Sequence, residues 1–228
     1  MTTITTTRLT RAAGICAAVA GAIFIAVQIK HPTMNVTSVI TTDWLLRSIA
    51  KVVMAALALA GITGMYLRQV RQTRVLGLVG YLLFSVGYLA ILSTEVIAAF
   101  VLPALAHTSP GYVNNVVIAA FGGRPTGGIG GMQTLFDVSG VLYMVGGLLF
   151  GIALFRARVL ARWAAALLAV GTAATVALAV LPESFNRPLA VPTGVALIGL
   201  GISLWRDQRK TAPEAASATS RVEHLAAR

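Results

Sequence analysis

The sequence predicts an all-α, polytopic membrane bundle of six transmembrane helices, on three observations. The 228 residues are 57% hydrophobic with mean hydropathy +0.83, and only 11% are charged, where soluble domains carry about a quarter. Six apolar runs, roughly 12–29, 44–67, 75–101, 132–155, 159–181 and 189–205, have the length that a hydrocarbon core of about 30 Å asks of a helix. Lys and Arg collect in alternate connections. With the N-terminus inside, one side holds 13 of the 18 basic residues against three acids, and the other holds five against four. That imbalance, +10 against +1, predicts both termini in the cytoplasm.

The same asymmetry accounts for a sequence pI near 11.1. The basic residues sit in short turns beside helix ends, where anionic headgroups satisfy them, so the charge carries no nucleic-acid signal. The six runs define a transmembrane domain over 1–206, and 207–228 reads as a polar, mobile cytoplasmic tail.

Taken in order, residues 1–8 are Thr-rich and read as disordered. The first run carries Gly14 and Gly21 one heptad apart, a spacing that lets a neighbouring helix approach. Its single Cys16 excludes a disulfide framework and reads as a packing residue. The run passes into Gln28, Lys30 and His31 without a small-residue cleavage motif, as a retained signal anchor does, and Pro32 is expected to stop the helix. Asn35-Val36-Thr37 is a sequon, relevant only in a eukaryotic secretory pathway.

The second run enters at Trp44, expected as an interfacial anchor, and the third carries Tyr81, Tyr88 and Glu95 at seven-residue spacing and is expected to end at Pro103. The long connection 102–131 holds an apolar piece, Tyr112 to Phe121, that reads as a short interfacial helix. It is followed by GGRPTGGIGG, which lacks the Lys-Ser/Thr ending of a phosphate loop. That run reads as a flexible linker, with a mobile lid as the alternative. The fourth run has Gly147 and Gly151 in a GxxxG packing face, the fifth carries Trp163 near the inner interface, and the sixth ends at Trp205.

The inner ends GMYLR (64–68), GIALFR (151–156) and GISLWR (201–206) are alike, and Arg74-Val75-Leu76 matches Arg158-Val159-Leu160. These read as three helical-hairpin units in parallel repeat, with interface chemistry alone as the alternative.

Function is expected where charge enters the second run. Asp43, Arg47 and Lys51 fall four apart on one helix face, and charge in hydrocarbon costs about 2.5 kcal/mol or more per residue. Glu95 in the third run and Asp137 in the fourth lie at matching depth, roughly 8–12 Å from the outer ends, so the four opposite charges are expected to pair. Gln28, Gln133, Glu183, Asn186 and Arg187 fall near the same side.

Three functions fit this cluster. In the first, Arg47, Lys51, Glu95, Asp137 and Tyr88 line an outer-leaflet pocket for a lipid-like or small amphipathic ligand. In the second, the charges are helix–helix ion pairs of an accessory or structural subunit. In the third, Glu95 or Asp137 is the general acid of an intramembrane lipid- or isoprenoid-modifying enzyme. No cofactor is implied. No metal is implied either, since His31 and His107 lack ligands at metal spacing and read as interfacial or solvated side chains.

At HPTMNVT (31–37), GITGMYLRQVRQ (61–72), LLFGIALFRARVLARWAAALLAVG (148–171) and LPESFNRPLAVPTGVALIGLG (181–201), the chain resembles a family of small bacterial multi-pass membrane proteins without an assigned function. The resemblance covers most of the chain. It implies a bacterial inner-membrane setting and lends no catalytic residues.

Overall fold

The computed structural model describes residues 5–179 and 187–207. Those residues form helices and connections, with no strand among them. In order these are α1 (Thr6–Ala26), α2 (Val36–Val39), α3 (Thr42–Arg68), α4 (Val70–Val96), a π-helical turn (Ile97–Val101), α5 (Leu102–Leu105), α6 (Pro110–Ala120), α7 (Gly131–Ala157), α8 (Arg162–Ala173), a 3-10 turn (Ala174–Ala179) and α9 (190–207). Four segments, Thr6–Ala26, Thr42–Arg68, Val70–Leu105 and Gly131–Ala157, are long and apolar enough to cross a membrane. An all-helical chain with four such segments fits a helical membrane bundle.

Several boundaries differ from the sequence reading for local reasons. α1 begins at Thr6, inside the stretch expected to be disordered, because the Thr5 side chain accepts from Arg8 N and caps the first turn. It ends at Ala26, well before Pro32. The chain turns at Val27–Lys30, where Lys30 adopts φ 47°. Thr41 and Asn35 cap α3 and α2 in the same way as Thr5 caps α1.

Pro103 does not end the third apolar run. It occupies the first turn of α5, where a missing N–H costs nothing, and the helix reaches it by widening into the π turn. α8 starts at Arg162 rather than near 159, because Arg158 closes α7 in the left-handed conformation at φ 58°.

The main core fills the length of the bundle with Met54, Ala58, Ile62, Phe84, Tyr88, Phe150, Leu154, Leu168 and Leu200. Glycines bring the helices together where side chains would hold them apart. A Cβ at Gly87 in α4 would lie 2.7 Å from Tyr143 N in α7, and one at Gly14 in α1 would lie 2.7 Å from Gly201 O in α9. On the GxxxG face, a Cβ at Gly151 would lie 2.6 Å from Ala169 N, and Gly147 faces Thr172, so that face docks α8. The Gly14–Gly21 heptad docks α9, through Gly201 and Gly194.

The two ends of the bundle differ. At one, Arg68 meets Asp207 at 2.6 Å, Arg11 lies over Trp205, and Arg162 lies over Phe155. The opposite end carries a second core. There α2, α5 and α6 pack on the start of α3 through Val39, Trp44, Leu102, Val113, Val116 and Val117. The expected interfacial helix is α6, and it forms part of this cap. The Gly-rich run beside it is tied rather than loose. Asn115 Oδ1 accepts from Thr126 N at 3.1 Å and Thr126 Oγ1 at 3.2 Å, and the Tyr112 hydroxyl donates to Ile129 O at 3.3 Å. Gly130 then takes φ 57° to start α7, a conformation that favours glycine.

Candidate functional site

Four charges were expected to pair at one depth, and they divide instead into three local arrangements. Arg47 donates through Nε to Asp43 Oδ1 at 2.9 Å, one turn earlier on the same helix. Its Nη1 donates to Val27 O (3.1 Å) and Ile29 O (2.9 Å), and its Nη2 to Lys30 O (3.2 Å). These are carbonyls at the frayed end of α1, which have no intrahelical partner. Arg47 therefore joins α1 to α3 from outside the cavity described next.

Asp137 makes no ion pair among the described residues. It is exposed and accepts from Gln133 Nε2 at 2.9 Å, within one turn of α7. Lys51 and Glu95 do meet, Nζ to Oε1 at 3.2 Å, across α3 and α4. Their side chains are 21% and 17% exposed, so water reaches the pair only partly.

Lys51, Glu95, Asp137 and Tyr88 all line one cavity of about 640 Å³ at the capped end; Arg47 does not. The size falls within the usual range for small-molecule sites. Its floor is apolar and aromatic, with Met54, Tyr88 and Tyr143. Tyr88 lies seven residues below Glu95, and Tyr143 six below Asp137, so the floor is roughly 10 Å beneath the charged level. Phe24, Phe136 and Val117 wall the middle, and Trp44, His31, Gln28, Arg187, Phe121 and Gly122 line it nearer the loops.

Trp44 is a structural post rather than an interfacial anchor. It is 5% exposed, and its indole Nε1 donates to Ala98 O at 2.9 Å. Ala98 lies in the π turn, where the ordinary helical hydrogen-bond ladder is broken. The turn thereby fixes the wall that α4 presents to the cavity.

Three polar atoms around the cavity are shut off from water and have no hydrogen-bond partner: Glu95 Oε2, the Tyr88 hydroxyl and Arg187 Nη1. Buried polar groups in folded proteins are nearly always satisfied, so three such groups lining one cavity mark where a further partner fits.

His31, expected as an interfacial or solvated side chain, is half-buried and lines the same cavity. Its ring stands edge-on to Trp44 at 6.3 Å. Nδ1 lies 3.1 Å from Pro32 O, a contact only a protonated nitrogen can make, which leaves Nε2 as an acceptor on the neutral ring. Burial first, and then the charges of Lys51, Arg187 and Arg47, lower its pKa from 6.5 to about 4, against the opposing bond to Pro32.

Arg187 sits between the last two helical segments, with its guanidinium over the Phe121 ring at 5.0 Å. Burial and then Arg47 lower its pKa. Glu183 and Asn186, placed near the cluster by the sequence, lie outside the described residues.

No group of three or more His, Cys, Asp or Glu side chains is arranged to hold a metal among the described residues. Cys16 packs within α1 as a free thiol. No family model matches the chain, and no curated protein or solved structure matches it either. The geometry alone therefore carries the reading of the site.

Proposed function

We propose that this chain is an integral inner-membrane protein of six spans with both termini cytoplasmic, and that its outer-end cavity binds a lipid-like or small amphipathic ligand. The observation that carries the reading is the cavity itself. It has an apolar aromatic floor beneath a charged level, and Glu95, Tyr88 and Arg187 each keep a buried polar atom there without a partner.

The orientation draws on the loop charges. Its support from packing is that Arg11, Arg68, Arg162 and Asp207 gather at the end opposite the cavity. In the same arrangement α8 with its 3-10 extension, and α9, complete the fifth and sixth crossings.

A structural role for the charges is the second reading, favoured by the 3.2 Å contact of Lys51 with Glu95 across two helices. The general-acid reading has no comparable support.

Gly140 provides the test, because it lines the cavity and a Cβ there meets nothing within 4 Å. Gly140→Phe grows into open space without displacing the core. Native mass spectrometry of the solubilised wild type should detect a co-purifying amphiphile, reduced at least several-fold in Gly140→Phe at unchanged melting temperature. Equal bound species in both proteins would overturn the reading.

A further inference from the structure

We propose that the ligand's head is anionic, a carboxylate or a phosphate ester seated on the Arg187 guanidinium, with its apolar chain running inward toward Met54 and Tyr143. This rests on the binding role proposed above and adds its charge.

Three cations lie close enough to His31 to act on its ring: Lys51, Arg187 and Arg47. Arg47 is neutralised by Asp43 at 2.9 Å, and Lys51 by Glu95 at 3.2 Å. Arg187 has no ion pair among the described residues, and its Nη1 is closed off from water without an acceptor. The guanidinium carbon lies 5.0 Å from the centre of the Phe121 ring, and no described residue accepts a hydrogen bond from Nη1. A guanidinium is a fork of donors that matches a carboxylate or phosphate two bonds at a time.

The remaining acid among the described lining residues, Asp137, does not offset this charge. It is exposed, hydrogen-bonded to Gln133, and met by solvent.

The other open atoms fit the same occupant. Glu95 Oε2 and the Tyr88 hydroxyl lie on α4, on the way from the charged level to the floor. A hydroxyl or amide donor next to the head would answer Glu95 Oε2. The floor of Met54, Tyr88 and Tyr143 offers the chain a flexible and aromatic surface and no further charge.

An anion here also acts on His31. Burial first, and then three cations, keep the half-buried His31 neutral, and a negative head offsets the second of these effects.

Trp44, which lines the cavity, makes the test direct. The chain has three tryptophans, and Trp163 and Trp205 lie at the far end, so Trp163→Phe with Trp205→Phe isolates the signal. In nanodiscs of zwitterionic lipid, Trp44 quenching would be titrated with 2-bromododecanoate, 2-bromododecanol and 2-bromododecyltrimethylammonium, whose bromine lies beside the head at the level of Trp44. The acid should saturate at about tenfold lower concentration than the alcohol, with the cation weakest. Arg187→Gln should abolish the acid's advantage, and Arg187→Lys should keep most of it. Unlabelled dodecanoate should compete and acetate should not.

An acid preference untouched by Arg187→Gln would overturn Arg187 as the seat. Competition by acetate would overturn the amphiphile in favour of a small free acid. Equal saturation by all three probes would overturn the anionic head and leave the pocket standing, whereas no saturable quenching by any of them would remove the pocket itself. Should Arg187→Gln fail to fold, the ranking of the three probes on the wild type decides the matter.

Discussion

Lys51 and Glu95 are the pair whose removal separates a structural cluster from a binding one. At 3.2 Å, Coulomb's law gives about 5 kcal/mol of attraction at an effective dielectric of about 20, and about 1.3 kcal/mol in bulk water. With side chains 21% and 17% exposed the pair lies between these limits, and a coupling of about 2–3 kcal/mol is expected. Lys51→Met is the harsher single change. It leaves Glu95 with neither oxygen bonded, since Oε2 has no partner to begin with. Glu95→Gln is milder, because the amide oxygen can still accept from Lys51. At about 2–4 °C per kcal/mol for a chain of this size, Lys51→Met should melt roughly 5–10 °C lower, and the double variant should recover most of that. Thermal unfolding of the four proteins in one detergent completes the cycle. Asp137→Asn combined with Lys51→Met is the control, expected to show no coupling because Asp137 bonds Gln133 instead. A coupling near zero for Lys51 with Glu95, or an equal one with Asp137, would refute the pairing and the reasoning from burial built on it.

Three further outcomes follow from the fold. Gly151→Leu and Gly147→Leu should each destabilise the detergent-solubilised protein by about 1–3 kcal/mol, because both face α8 at contact distance, and unchanged melting would place that face toward lipid. For His31, the folded pKa near 4 lies below the ordinary 6.5, so between these values the unfolded chain binds more protons and stability rises with pH. Stability should therefore fall as pH drops from 6.5 toward 4, and His31→Gln should flatten that slope. A slope unchanged by the substitution would assign it to other groups. Reporter fusions after Arg71 and Arg158 should read as cytoplasmic, and fusions near Thr37 and Gly123 as external; an external signal at Arg71 would overturn the orientation.

Composition and period were enough, by themselves, to place the long apolar helices. Helices in lipid must satisfy their own backbone groups, and the apolar length needed to cross is printed in the chain. Small residues at heptad and GxxxG spacing also showed which faces approach a neighbour. The neighbour's identity, α8 for Gly147 and Gly151 and α9 for Gly14 and Gly21, belongs to tertiary packing.

The charged cluster was legible as a location, and of the pairs expected among its four charges the one between Lys51 and Glu95 forms. Depth along each helix can be counted from sequence, so Lys51, Glu95 and Asp137 were found near one level. Rotation about each helix axis decides which side chains meet, and it depends on the whole bundle. That rotation joins Lys51 to Glu95 and leaves Asp137 to Gln133, four residues earlier on its own helix. Arg47 turned to the end of α1 because the helix frays at Ala26, leaving carbonyls that no sequence signal advertises. Trp44 and His31 sit beneath a cap of short helices, one of them reached through a π turn with no clear sequence signature, and so their burial was set only when the chain closed over them.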